Sequence, residues 1–126
     1  MGHLTYEQES WQINSAVFEV HKILGPGLNE KIYQEALAVE LAKCGIPFER
    51  EKRFKVKYKD VLLNTDYIAD FVCFNSIIVE LKAVSEILDI HRAQVNNYLN
   101  ITKYKLGLLY NMNSKYIRPE RILNSN

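Results

Sequence analysis

The apolar positions along the chain change period as it proceeds, and the changes divide it into elements. In 5–24, TYEQESWQINSAVFEVHKIL, residues Ile13, Val17, Val20 and Leu24 recur at helical spacing and stop at the breaker Gly25-Pro26-Gly27, which predicts a first helix. From Leu28 to Cys44, Leu28, Ile32, Ala36, Val39 and Leu41 keep a helical period among good helix formers until Gly45-Ile46-Pro47, which predicts a second. Period two then takes over. Phe54, Val56 and Tyr58 alternate with Arg53, Lys55, Lys57 and Lys59, the pattern of a half-buried strand with one basic face.

The runs YIADFVCF (67–74) and IIVELKAV (77–84) are rich in β-branched and aromatic residues and flank Asn75 and Ser76, so they predict a hairpin. A further short strand fits near 61–64. A helix from Asp89 to Thr102 follows, then a strand in KLGLLYNM (105–112) and a short tail in which Pro119 rules out a long helix. The expected fold is α/β: one domain over 1–126, a mixed sheet with a central hairpin, flanked by helices.

A length of 126 residues suits a single core. Sixteen basic residues nearly cancel fifteen acidic ones, so any electrostatic footprint for nucleic acid must be local. No apolar run approaches the roughly 18 residues of a membrane span. The start MGHLTYEQES lacks the apolar core of a secretory signal and carries Tyr6 where a myristoylation motif takes Ser or Thr. The expectation is a cytoplasmic protein with no membrane partner. Cys44 and Cys73 are too few for a disulfide framework and read as small buried apolar residues.

Against this background the charges inside the hairpin stand out. Asp70, Glu80 and Lys82 are all even-numbered, and residues two apart on a strand share a face. For Asp70 to lie with Glu80, the connection must contain an odd loop or a bulge. Two neighbouring carboxylates repel, so such a pair shares a proton or binds a cation. Oxygen donors without nearby His or Cys favour Mg2+ or Mn2+. A cross-strand salt bridge on a solvated face is the simpler alternative.

At about 100° per residue, Arg92, Asn96, Asn100 and Lys103 form one side of the third helix, the expected solvent face. His91, Gln94, Tyr98 and Thr102 fall opposite, among Leu88, Val95, Leu99 and Ile101, where amphipathicity predicts apolar side chains. In the second helix Glu30 lines up with Tyr33, Leu37 and Leu41, although an acid in a first turn also suits the helix dipole.

Asp70, nine intervening residues and then Glu80-Leu81-Lys82 resemble the active-site signature of the PD-(D/E)XK nuclease superfamily, with Ala69 in place of its nominal proline. GLNEKIY, with Gly27, Glu30 and Tyr33, is similar to the pattern that names the GxxExxY proteins of that superfamily, and HRAQVNNYL matches the same branch. Gln94 and Tyr98 also reproduce the Q-x-x-x-Y element of RecB-like nucleases. The resemblance spans approximately residues 23–110.

It implies a restriction-endonuclease-like core and a metal-dependent nuclease acting on DNA or RNA phosphodiesters. Asp70, Glu80 and the backbone carbonyl of Leu81 would hold Mg2+ or Mn2+, and Lys82 would orient the attacking water. Glu30 would contact the metal's ligands from behind or bind a second metal, and Gln94 and Tyr98 would position the scissile phosphate or hold the catalytic side chains. Arg53, Lys55, Lys57, Tyr33 and His91 are the expected nucleic-acid contacts, His91 doubling as a possible acid. The same fold can also serve as a catalytically inactive adaptor binding nucleic acid or a protein. DNA versus RNA, and homo-oligomerisation, stay open.

Overall fold

A computed structural model describes residues 5–124. Its helices are α1 (Glu7–Leu24), α2 (Glu30–Lys43) and α3 (Asp89–Thr102). Its strands are β1 (Phe48–Phe54), β2 (Lys57–Tyr58), β3 (Val61–Leu62), β4 (Tyr67–Cys73), β5 (Ile77–Lys82), β6 (Leu106–Asn111) and β7 (Glu120–Leu123). Five strands form one sheet in the order β1-β4-β5-β6-β7, and β2 and β3 form a separate hairpin. All pairings are antiparallel except β5–β6. A parallel pair needs a crossover, and α3 supplies it.

The apolar residues sort into two layers. Ile13 and Val17 of α1 and Tyr33, Leu37 and Leu41 of α2 bury one sheet face, meeting Phe71, Val79, Leu81, Leu108 and Tyr110. On the other face Leu99 of α3 closes over Tyr67, Ala69, Val72 and Ile78. The mixed sheet with its central β4–β5 hairpin and flanking helices is therefore as the sequence predicts.

Several boundaries differ from expectation. The strand expected at 53–59 begins earlier, at Phe48, because Phe48, Arg50, Lys52 and Phe54 are each half-buried; the charges there hid it. The chain then turns at Lys59, φ 55°, so β2 and β3 form a small hairpin, and the proposed basic stripe is split between two sheets. Beyond Pro119 the tail forms β7, which pairs with β6. The buried face of α2 runs through Tyr33, Gln34, Leu37 and Leu41, while Ile32 and Val39 are exposed. Cys44 is exposed too, at the end of α2, whereas Cys73 is buried as expected.

The solvent face of α3 is also shifted. Ile90, Ala93 and Asn97 are exposed, and Arg92, Asn96 and Asn100 are half-buried on its flank. The unforeseen β7 is the reason: Arg92 Nε donates to Glu120 Oε1 at 2.6 Å and Nη2 to Oε2 at 3.1 Å. Thr102, expected to point inward, spends its hydroxyl on the Tyr98 carbonyl of its own helix at 2.9 Å.

The loop before α2 accounts for part of the GLNEKIY motif. Gly25 and Gly27 take φ values of 70° and 102°, which L side chains rarely adopt. Asn29 caps the helix by accepting the Ile32 N–H at 3.1 Å. The Tyr33 hydroxyl donates to the Gly25 carbonyl at 2.6 Å and accepts the Leu28 N–H at 3.1 Å. Tyr33 is thus fully buried as a clasp on the loop, not exposed to nucleic acid.

Gly107 of β6 sets how closely α3 can approach the sheet, since a Cβ there would lie 2.6 Å from Val95 Cγ1. Val95 is β-branched and stiff, so the clash cannot be relieved cheaply. Gly107→Ala should destabilise the fold by about 1–3 kcal/mol, read from the denaturant midpoint. Adding Val95→Ala should recover part of that loss; two purely additive penalties would show that the contact does not set the spacing.

Candidate active site

The two hairpin carboxylates face each other across a place where strand pairing fails. The β4–β5 register pairs Cys73 with Ile77, Val72 with Ile78 and Phe71 with Val79. The connection is therefore the three residues Phe74, Asn75 and Ser76, with Phe74 and Asn75 at φ 54° and 52°. An odd loop of this kind brings Asp70 opposite Glu80, as the parity argument required. Beyond Phe71 and Val79 the regular ladder stops, and side chains take over its bonds. The Asp70 N–H donates to Glu80 Oε2 at 3.1 Å, and the Leu81 N–H donates to Asp70 Oδ2 at 2.9 Å.

Alternation in β4 shifts at the same point. Strict period two would put Tyr67, Ala69, Phe71 and Cys73 on one face. Instead Tyr67 and Ala69 join the α3 layer, whereas Phe71 and Cys73 join the α1–α2 layer. The partner strand β1 changes face with it: Phe54 packs against Tyr67, Phe48 against Phe71, and Glu51 between them takes φ 54°. Asp70 lies in the middle of this crossover.

Each carboxylate is supported from a different helix layer. Glu80 is buried, and its Oε2 also accepts the Tyr67 hydroxyl at 2.8 Å. Tyr67 is stacked on Tyr98 of α3 with centroids 3.9 Å apart. On the other side the Gln34 amide of α2 stabilises the charged form of Asp70, and its Nε2 lies 3.4 Å from Glu30 Oε1. Both bonds to Glu80 fall on Oε2, which leaves Oε1 without a protein donor among the described residues.

Burial governs the protonation of this pair. Desolvation pushes Glu80 up to about 8, the Asp70 charge adds to the rise, and the Tyr67 hydroxyl, the Asp70 N–H and Lys82 oppose it. Desolvation likewise lifts Asp70 to about 6; the Leu81 N–H opposes it, Glu30 adds to it, and Lys82 and Gln34 oppose it. The two protons belong to the pair rather than to either residue. Desolvation and then the Glu80 charge raise Tyr67, so it stays a hydrogen-bond donor at neutral pH. Tyr98 is raised by its own burial and by the Glu80 and Asp70 charges, which puts its hydroxyl in their field.

Lys82 is half-buried and near enough to favour the charged form of both carboxylates. No carboxylate lies within ion-pair distance of its Nζ among the described residues. Gln94 is half-buried, one turn before Tyr98 on α3. His91 lies at the start of α3, where Nδ1 accepts the Leu88 N–H at 2.8 Å and so caps the helix. Arg53 and Lys55 both approach Asp66, at 3.7 and 3.1 Å, while Lys57 lies exposed on the β2–β3 hairpin.

Sequence reasoning singled out neither Gln34, Tyr67 nor Asn111. Gln34 was legible in principle: it lies one turn after Glu30, on the arc leading to Leu37 and Leu41. Tyr67 reads as an ordinary strand aromatic, and only the crossover at Asp70 turns it toward Glu80. Asn111, buried at the end of β6, accepts the Val84 N–H at 3.1 Å and donates to the Val84 carbonyl at 2.9 Å. It fixes the chain two residues after Lys82, a role no local pattern announces.

The sequence pattern described as the PD-(D/E)XK nuclease superfamily matches residues 7–122. No curated protein matches. A solved crystal structure of SSO0001 shares the fold, with a TM-score of 0.60 and 22% identity, covering 94% of this chain. This chain spans 60% of the length of that one. A mixed sheet whose central hairpin opens around an Asp and a Glu thus goes with a match over nearly the whole chain, and the protein belongs to the PD-(D/E)XK nuclease superfamily.

Proposed function

We propose that the protein is a metal-dependent nuclease that hydrolyses phosphodiester bonds of DNA or RNA, and that it belongs to the GxxExxY branch of its superfamily. The observation that carries this reading is the reciprocal clasp of Asp70 and Glu80, a half-buried and a buried carboxylate held together at the cost of desolvation and mutual repulsion. A salt bridge would not need that arrangement, because Lys82, whose charge acts on both, forms no close ion pair with either among the described residues.

The donor set fits Mg2+ or Mn2+. PD-(D/E)XK nucleases generally use divalent metals, and such ions keep several waters while binding through one or two carboxylates. Among the described residues no group of three or more His, Cys, Asp and Glu side chains is placed to hold a metal. Asp70 and Glu80 would therefore be joined by the Leu81 backbone carbonyl, with Gln34 favouring the charged form of Asp70 and Glu30 adding negative charge beside it. When bound, the ion would supply Lewis-acid polarisation of phosphate and an activated water.

The chain's own groups divide the remaining work. Tyr67 and the Asp70 N–H fix one oxygen of Glu80 and leave the other available. Lys82 orients the water and balances negative charge developing on the phosphate. Gln94 and Tyr98 position the phosphate from α3. Arg53, Lys55 and Lys57 would contact the nucleic-acid backbone, and His91, committed to its cap through Nδ1, has only its other ring edge to offer.

Mn2+ titration followed by thermal shift, with cleavage assays on single-stranded, double-stranded and flapped DNA and on structured RNA, tests this reading. Asp70→Ala should abolish the Mn2+ shift. Lys82→Ala should keep that shift while losing roughly 10²–10³-fold in turnover. A Lys82→Ala variant that cleaves like wild type would sink the mechanism, and tight metal binding without cleavage of any substrate would favour the adaptor.

The protonation of the pair gives a second check. Both folded-state pKa values lie above the ordinary 4.5 and 3.8, so the stability that these groups contribute is complete below those values. It is lost as pH rises through about 6 and then about 8. In chelator, melting temperature should therefore fall across this range, and saturating Mn2+ should remove or reverse the fall. Glu80→Gln should flatten the chelator profile; an unchanged slope would count against a shared proton.

A further inference from the structure

Beside the carboxylates lies a hollow of about 480 Å3 whose walls include Val56, Leu63, Ile68, Tyr67 and Tyr98. Tyr67 borders both, since it lines the hollow and its hydroxyl donates to Glu80. Phe54, Tyr67 and Tyr98 form a run of near-parallel rings, with interplanar angles of 17° and 15°. Phe54 and Tyr98 each pair with Tyr67 and not with one another, so Tyr98 is an end of the run. A run of stacked rings that ends at an accessible hollow is a platform for one more planar ring.

The next hollow, about 420 Å3, shares Val56 as a wall and is lined by Lys55, Lys57, Lys59 and Lys103. An aromatic, apolar recess directly adjoining four lysines has two chemistries in the order in which a nucleotide has them: a base, then phosphates. Asp66, the carboxylate at the rim of the first hollow, is offset by Arg53 and Lys55. Leu63 and Ile68 are substantially exposed, although both are large and apolar.

We propose that this hollow is a nucleobase subsite and that the substrate strand is unpaired at the reacting phosphate. One base stacks in the recess on Tyr98 between Val56, Leu63 and Ile68, and its neighbouring phosphates lie along Lys55, Lys57, Lys59 and Lys103. A base inside a duplex already has both faces covered and cannot enter. Aromatic stacking joined to a basic groove is the general physics of single-strand binding, tolerant of sequence because every base has a π-face. The inference rests on the nuclease reading for the meaning of the adjacent carboxylates, but its recognition step needs neither metal nor cleavage.

The test is fluorescence of a short oligothymidylate carrying 2-aminopurine, mixed with wild-type protein in chelator so that no cleavage intervenes. Quenching at saturation is expected, with the single strand bound at least about tenfold more tightly than the same oligonucleotide annealed to its complement. Leu63→Asp and Ile68→Asp, both at exposed positions, should each weaken single-strand binding by about tenfold and leave the Mn2+ thermal shift unchanged. Lys57→Glu with Lys59→Glu should weaken binding and flatten its salt dependence, yet keep the quenching at saturation. Absence of quenching, equal affinity for duplex, or wild-type binding by Leu63→Asp would each overturn the subsite. The nuclease reading is judged separately, by the Mn2+ shift and cleavage: if both fail while quenching persists, the base subsite stands and the nuclease does not.

Discussion

The structure around the site depends on one substitution of bonding partners: at Asp70 and Glu80, side-chain carboxylates replace the backbone ladder between β4 and β5. A central sheet position with unpaired N–H groups would carry a desolvation penalty, so the strands can part only where something accepts those donors. Glu80 accepts the Asp70 N–H and Asp70 accepts the Leu81 N–H. The carboxylates are thereby part of the fold as well as candidates for its chemistry. That dual role explains why they tolerate burial that lifts both of their pKa values.

From this opening the rest of the local architecture follows. Once β4 changes face at Asp70, Tyr67 comes to the α3 side and can reach Glu80, while Phe71 returns to the α1–α2 side. Helix α3 closes over Tyr67 through Tyr98, and the absence of a side chain at Gly107 lets it sit close. Helix α2 approaches from the opposite layer with Gln34 and Glu30. Its entry is fixed by the Asn29 cap and the Tyr33 clasp. Each carboxylate is thus backed by a separate helix layer, Glu80 through Tyr67 stacked on Tyr98 and Asp70 through Gln34.

Much of this was legible in the sequence for a physical reason. Charged residues inside an apolar strand are costly, so Asp70, Glu80 and Lys82 announced themselves, and strand parity alone demanded the odd loop that Phe74, Asn75 and Ser76 provide. The inward Tyr98 could be read in the same way, as a polar group on an apolar arc. What escaped were roles created by tertiary pairing. β7 was missed because a four-residue strand after a proline carries almost no pattern, and its absence misplaced Arg92. Tyr33 was read as a surface contact because a motif position records importance, not exposure. Gln34 was hidden by a periodicity that followed Ile32 and Val39, both of which the fold leaves outside.

The basic residues show the limit of reading charge from sequence. Arg53, Lys55, Lys57 and Lys59 alternate as if on one strand, yet the turn at Lys59 carries the later ones onto a small hairpin, and Asp66 partly neutralises the earlier ones. A continuous stripe would have suited the regular backbone of a duplex. Interrupted by Val56 and opening onto Tyr98, the same lysines instead border an apolar recess next to the carboxylates. The break in the stripe is therefore what turns a generic cationic face into one that can distinguish a stacked base from a free one. It comes from the backbone of the β2–β3 hairpin rather than from any change in the number of charges.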